Sequence, residues 1–296
     1  MKRRLAKFIP EPVKVGIRRT RLYDTLAAKW LASTSKRVDL CAAQFASVLH
    51  QSDHPPLEDK TCLEIGCGWV LSHALVCHLL GAKRVIATDI FPRAHPRSLY
   101  QAVHRSIPCL PRDILSPFAE HSEIRARLDN LLALRRFDFE VLKSLAIDYV
   151  SPIDLAKDRL NVPVDFVYSL SVLEHVPCDD VLGLLNSVVA DLVPGGTMVH
   201  CIHLEDHKNI ARRPFDFLSI PSDKFYRAAQ GSRGNRIRSS HWQEIFAAID
   251  NTESKLLYEW RRRDKQLPTQ IDPSVRNTGE ADLRVSHLGV FTRKLA

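Results

Sequence analysis

No apolar run in the 296-residue sequence approaches the ~20 residues a bilayer span requires, which excludes a conventional membrane-crossing helix. The basic start is not followed by a continuous apolar stretch, so it does not read as a secretory signal. The seven cysteines (41, 62, 67, 77, 109, 178, 201) contain no C-x-x-C pair, and several fall in apolar segments. They read as small buried hydrophobes in a reduced, cytoplasmic compartment, and no metal site is expected. An internal repeat is also missing. So is any recognisable RNA-binding module.

Charge is scarce over most of the chain. The net +8 comes from residues 1–37, where eleven Lys/Arg face only Glu11 and Asp24. The remaining residues hold 31 basic against 32 acidic side chains and are close to neutral. The basic residues of the leading segment are interleaved with Leu5, Phe8, Ile9, Leu22, Tyr23, Leu26 and Trp30. It reads either as a helical arm on the core with its charges solvated, or as a contact for a polyanion or an anionic membrane surface. The membrane reading would put the protein peripherally at the inner membrane surface. Hydrophobic residues at 45 % and charged ones at 26 % are ordinary for a globular chain, and the length suits one large α/β domain with additions.

What is present is concentrated in residues 61–89. Cys62-Leu63-Glu64-Ile65 is a short apolar run broken by Gly66-Cys67-Gly68, as expected of a buried parallel strand ending in a tight turn. Residues 70–80 suit a helix packed on a sheet, with Gly81 as its stop. Residues 85–88 form a second buried strand with Asp89 at its carboxyl end, 23 positions after Gly66. The glycines allow close backbone approach to a ligand. The acid is placed to accept both hydroxyls of a ribose. The ligand implied is a nucleoside-containing cofactor. A dinucleotide fingerprint would need a third glycine, where this chain has Leu71.

With Glu64 two residues before Gly66, the stretch reads E-x-G-x-G and resembles motif I of the class I S-adenosylmethionine-dependent methyltransferases. Residues 164–176, ending in Leu173-Glu174-His175, resemble that family's fourth strand and the segment after it. Pro194-Gly195-Gly196 resembles its turn before strand five. The resemblance covers about 57–296 and is weakest at 92–146. It implies a doubly wound, mostly parallel seven-stranded α/β sheet with S-adenosyl-L-methionine as cofactor. A helical extension at 1–56 and a helical insertion at about 92–146, read as a lid or as packing material, would decorate it. The cofactor set it implies is Glu64, Gly66, Cys67, Gly68, Asp89, Ile90, Asp154 and Ser169. Asp154, at the end of a third strand over 147–153, would meet the adenine amino group, with Asp148 and Asp113 as competitors.

For a hydroxyl acceptor the protein must also help remove a proton. His207, just past strand five with Asp206 beside it, is the candidate base. His203 is read as core packing, and Glu174 and His175 as walls of the substrate pocket. Arg236 and Arg238, in a basic turn, could supply planar donors to a carboxylate or phosphate. Ser239 or Ser240 is the expected cap of a helix over 241–249. Segments 256–260 and 285–292 would close the sheet as an antiparallel pair. The expectation is an O-methyltransferase for a small molecule or glycan hydroxyl. Its alternatives are an RNA methyltransferase and a non-catalytic protein that binds the cofactor or a partner.

Overall fold

A computed structural model describes residues 37–52, 57–94, 96–105, 115–136 and 138–296. The basic segment 1–36, on which the membrane-surface expectation falls, lies outside the described residues, as does Asp113.

Seven strands form one sheet in the order β3-β2-β1-β4-β5-β7-β6. They are β1 Thr61–Ile65, β2 Arg84–Thr88, β3 Ile147–Val150, β4 Val164–Leu170, β5 Leu192–His203, β6 Thr252–Arg261 and β7 Val285–Lys294. The first five are parallel, and β7 runs antiparallel between β5 and β6. This is the mostly parallel, doubly wound fold expected, with its closing hairpin in the expected place. The central strands carry near-continuous apolar runs because both of their faces are covered. On one face Phe45 of α1 (Arg37–Gln51) packs its ring 4.9 Å from that of Tyr168 on β4, beside Leu75 of α2 (Ser72–Leu79). On the other, Val167 and Met198 meet Leu185 of α6 (Cys178–Asp191) and Trp242 of α8 (Ser239–Ala247). Each such side chain, removed fully from water, contributes ~1.5–3 kcal/mol.

Between β2 and β3 lie α3 (Pro96–Arg105), α4 (His121–Ala133) and α5 (Phe139–Ser144). In α4, Ile124, Leu128 and Leu131 are buried, and Arg127 donates to the Leu79 carbonyl at the end of α2. α4 therefore packs against a helix end, while Arg93, at the start of the insertion, lies over the Trp69 and Phe91 rings in the loops at the carboxyl ends of β1 and β2. Gly81 ends α2 as expected, with φ 86°, and two closing hydrogen bonds (Gly81 N to His78 O, Ala82 N to Cys77 O) satisfy the last carbonyls. The third strand is shorter than expected: β3 stops at Val150, because Asp89 O takes Ser151 Oγ and Ile153 N and bends the chain along the end of β2. Past β5, a segment without sequence periodicity builds its own small core from Phe215, Phe217 and Phe225, joined by α7 (Arg227–Arg233).

The cap of α8 comes from elsewhere. Neither serine caps it; the helix starts at Ser239, and Asp282 in the short helix α9 (Glu280–Leu283) accepts from Ser240 N at 3.0 Å and from its hydroxyl at 2.6 Å.

One core histidine makes stability pH-dependent. His200 on β5 is fully buried, its Nδ1 meets Ser169 Oγ at 2.8 Å, and its Nε2 has no partner. Burial lowers its pKa to about 3. An unfolded histidine titrates near ~6.5, so between there and about 3 the unfolded chain binds one more proton, and stability falls as pH falls, by up to ~1.4 kcal/mol per unit. His200→Gln is expected to flatten the decline of the urea midpoint below about pH 6. An unchanged slope would show that His200 adds nothing to the decline that the other buried histidines, His175, His207 and His287, also produce.

Candidate functional site

β1 and β4 are neighbours, and the chain leaves them in opposite directions along the sheet, which opens a crevice at their carboxyl ends. The loop after β1 is held to β2: Gly66 N and Cys67 N both donate to Thr88 O, at 2.9 and 2.8 Å. Gly66 has φ 75°, and a Cβ there would lie 2.6 Å from Val172, so this position must be glycine. Gly68, with φ 67°, differs: a Cβ would meet nothing within 4 Å. Its surroundings are open on the side where a ligand would come. Leu71, at the third fingerprint position, adopts the left-handed conformation (φ 46°) at the entry to α2, so the bend is made without glycine.

Asp89 closes the crevice. Its Oδ2 accepts from Gly68 N at 3.0 Å and its Oδ1 from Phe91 N at 2.9 Å. Burial raises its pKa, opposed by those two amides. Each oxygen keeps acceptor capacity, so a diol can be bound by a carboxylate already fixed in place. Ile90, next to it, is half exposed and offers an apolar surface at the rim. Cys67 is buried, and its thiol is pushed well up by burial and by the nearby Glu64 and Asp89 carboxylates.

Glu64 is 2 % exposed and takes Tyr168 OH and His73 Nδ1, both at 3.2 Å. It ties β1 to β4 and to the helix after the loop, so its hold on the glycines runs through α2. Asp154 gives its carboxylate to Ala156 N and to the exposed Lys157 ammonium, 2.5 Å away, a partner water can replace. Asp148 pairs with Arg84. Ser169 does not line the crevice: it is fully buried, with its hydroxyl committed to His200 on the next strand.

A second group of polar side chains gathers past β4 and β5. Glu174 and His175 share a single 3-10 turn, Leu173–His175, clamped by the Asn235 amide, which donates to Leu173 O at 3.0 Å and Val176 O at 2.9 Å. The His207 ring packs edge-on against that of His175, centroids 4.5 Å apart, and its Nε2 is 3.5 Å from Glu174 Oε1. His203, expected in the core, belongs to this group instead. Its Nε2 meets Glu205 Oε2 at 2.7 Å and its Nδ1 meets His207 Nε2 at 3.0 Å. Glu205 in turn pairs with Arg262. With the Glu205 carboxylate accepting at Nε2, the tautomer that satisfies both contacts leaves His203 Nδ1 as acceptor and His207 Nε2–H as donor.

Burial dominates the electrostatics here. It raises the Glu174 carboxyl to about 8, only partly offset by the nearby amides of Glu174 and His203, with which its oxygens make no hydrogen bond. It lowers His175 to about 4 and His207 to about 3, the latter aided by the neighbouring His175 and His203. At neutral pH both rings are uncharged, with lone pairs to offer.

Three expectations for this region are corrected. Asp206 does not attend His207; it is fully buried and accepts from Arg233 Nε and Nη2, at 3.1 and 2.5 Å. Arg238 is fully buried and donates to the carbonyls of Leu204, Leu283 and Val285, so it cannot meet a substrate. Arg236 donates to Ile220 O and Ser274 Oγ, with its guanidinium 3.9 Å from the centroid of the Phe225 ring. Both arginines hold loops together. Glu205, Arg233 and Arg262 had no motif to announce them.

A family model described as a methyltransferase domain matches residues 38–250. No curated protein matches the sequence. Among solved structures, the chain is similar to an S-adenosylmethionine-dependent methyltransferase from Mesorhizobium loti, with 17 % identity and TM-score 0.47, over 85 % of this chain and 98 % of that one. It is also similar to the N-methyltransferase NodS from Bradyrhizobium japonicum in complex with S-adenosyl-L-homocysteine, with 13 % identity and TM-score 0.40, over 84 % of each chain.

Proposed function

The chain belongs to the methyltransferase-domain family, and we propose that it methylates a hydroxyl of a small molecule or glycan, with S-adenosyl-L-methionine as donor. The observation that supports this reading is the place of His207, just past the carboxyl end of β5, with its Nε2 3.0 Å from His203 Nδ1 and 3.5 Å from Glu174 in the turn after β4. The residues present fit the cofactor. Asp89 keeps acceptor capacity for the ribose hydroxyls, Gly68 leaves open space for close approach, and Ile90 offers an apolar surface for the adenine. Bound there, the cofactor supplies a methyl group made electrophilic by its sulfonium, so no covalent enzyme intermediate is needed.

The chain's own task is to position the acceptor and receive its proton. His207 accepts that proton at Nδ1 while its Nε2–H is held by His203, whose other nitrogen is anchored on Glu205. Carboxylate, imidazole and base thus stand in line, an arrangement that orients a base and shares the charge it acquires. No helix among the described residues is long and apolar enough to cross a membrane. The cysteines described, Cys62, Cys67, Cys77, Cys178 and Cys201, are free, which fits a reducing cytoplasm.

The test is an acceptor screen with methyl-labelled cofactor. Transfer to a hydroxyl is expected, falling by roughly 10²–10⁴-fold in His207→Ala with cofactor affinity unchanged. Transfer to an amine or to RNA instead would overturn the acceptor class, and undiminished turnover would remove His207 from proton transfer.

A further inference from the structure

A carboxylate and two imidazoles converge where methyl transfer alone does not require all three. One ligand atom each from Glu174, His175 and His207 lie within 4.8 Å of one another. Glu174 is 1 % exposed and neither of its oxygens has a hydrogen-bond partner; Nδ1 of His175 is also buried without one. Polar atoms shut away unpaired are costly and call for a ligand that completes them. The 3.5 Å between His207 Nε2 and Glu174 Oε1 is long for a hydrogen bond. It is close to the ~3.4 Å edge expected between two ligands of a tetrahedral ion with bonds of ~2.1 Å.

The supports of the three side chains are already built. Asn235 clamps the turn carrying Glu174 and His175, and His207 N is fixed to Arg233 O at 3.1 Å. Such anchoring is what holds metal-ligating side chains in register.

We propose that Glu174, His175 and His207 bind one divalent first-row transition-metal ion, leaving a coordination position open at the crevice. Two imidazoles and a carboxylate are a donor set suited to zinc and cobalt, and a three-ligand site with an open position is the catalytic form. For its role this rests on the O-methylation reading: the open position takes the acceptor hydroxyl and stabilises its oxyanion. His207 Nε2 then becomes a ligand, its hydrogen moving to Nδ1, and the contact to His203 is released. In the metal-bound form His203 Nδ1, still anchored through Nε2 on Glu205, receives the hydroxyl proton, and the proton-accepting part of His207 belongs to the metal-free chain.

The experiment is a titration of the chelator-treated full chain with Co²⁺ and Zn²⁺, followed by calorimetry and by the visible absorption of tetrahedral cobalt, in the absence of any methyl donor. One equivalent per chain is expected. Glu174→Gln, His175→Gln and His207→Gln should each weaken binding at least 10-fold, while His287→Gln, outside the cluster, should not. Absence of stoichiometric binding by the native chain overturns the proposal. So does binding that survives Glu174→Gln and His207→Gln together. Calorimetry with S-adenosylmethionine on the same samples separates the two readings. Cofactor binding without metal refutes the ion alone; metal binding without cofactor leaves the ion site standing and refutes the methyl-transfer reading.

Discussion

Replacing Asp89 with alanine will abolish S-adenosylmethionine binding in calorimetry while the circular dichroism spectrum stays native. The carboxylate accepts from Gly68 N and Phe91 N and has acceptor capacity left for a ribose diol. Hydrogen bonds to a charged group are worth ~1.5–3 kcal/mol each. Losing two to the ligand, and with them the fixed position of the Gly68 amide, corresponds to an affinity loss of roughly 100-fold or more. Asp89→Asn, which keeps one acceptor oxygen, should fall between. The fold should survive because Gly66 N and Cys67 N are held by the Thr88 carbonyl, which the substitution leaves in place. Unchanged affinity in the alanine variant would refute the ribose assignment and with it the orientation of the cofactor in the crevice.

Arg238→Met will strongly destabilise the fold and should spare cofactor affinity. The guanidinium is fully buried and serves the carbonyls of Leu204, Leu283 and Val285, which joins the end of β5 to the start of β7. Burial lowers even its pKa, to about 10, against the pull of Asp282 and Glu205. Methionine fills much of the volume but leaves three buried acceptors without a donor, at ~1–3 kcal/mol each. A loss of about 4 kcal/mol and a Tm lower by roughly 10 °C are expected from thermal and urea unfolding. Native stability combined with lost acceptor turnover would return Arg238 to the substrate site.

The two arginines show where sequence reading stops. Arg236 and Arg238 stand in a run of basic residues that looks like an exposed anion-binding turn. Whether such a charge faces water depends on the carbonyls of distant segments, Ile220 for one and Leu283 and Val285 for the other. Asp206 and His207 teach the same lesson. They are adjacent in sequence, yet one turns to Arg233 and the other to Glu174, because irregular loops impose no side-chain period of the kind helices and strands do. The cap of α8 arrives from Asp282, 42 residues on, and no local pattern could signal it.

The strand–glycine–helix–strand unit, by contrast, was legible. A strand that must be apolar on both faces, glycines where the backbone turns left-handed and an acid at the end of the next strand are contiguous features. The sequence by itself determined the strand–glycine–helix–strand unit and the place of Asp89 at its end, since each follows from backbone geometry over a few neighbouring residues, while the seven-stranded class and the closing antiparallel pair came through the family resemblance. Tertiary structure alone decided that Glu64 acts through His73 and Tyr168, that Ser169 belongs to His200, and that Glu174, His175, His203 and His207 form one cluster. Those partnerships join side chains from separate strands and loops. They exist only once the sheet has brought its carboxyl ends together.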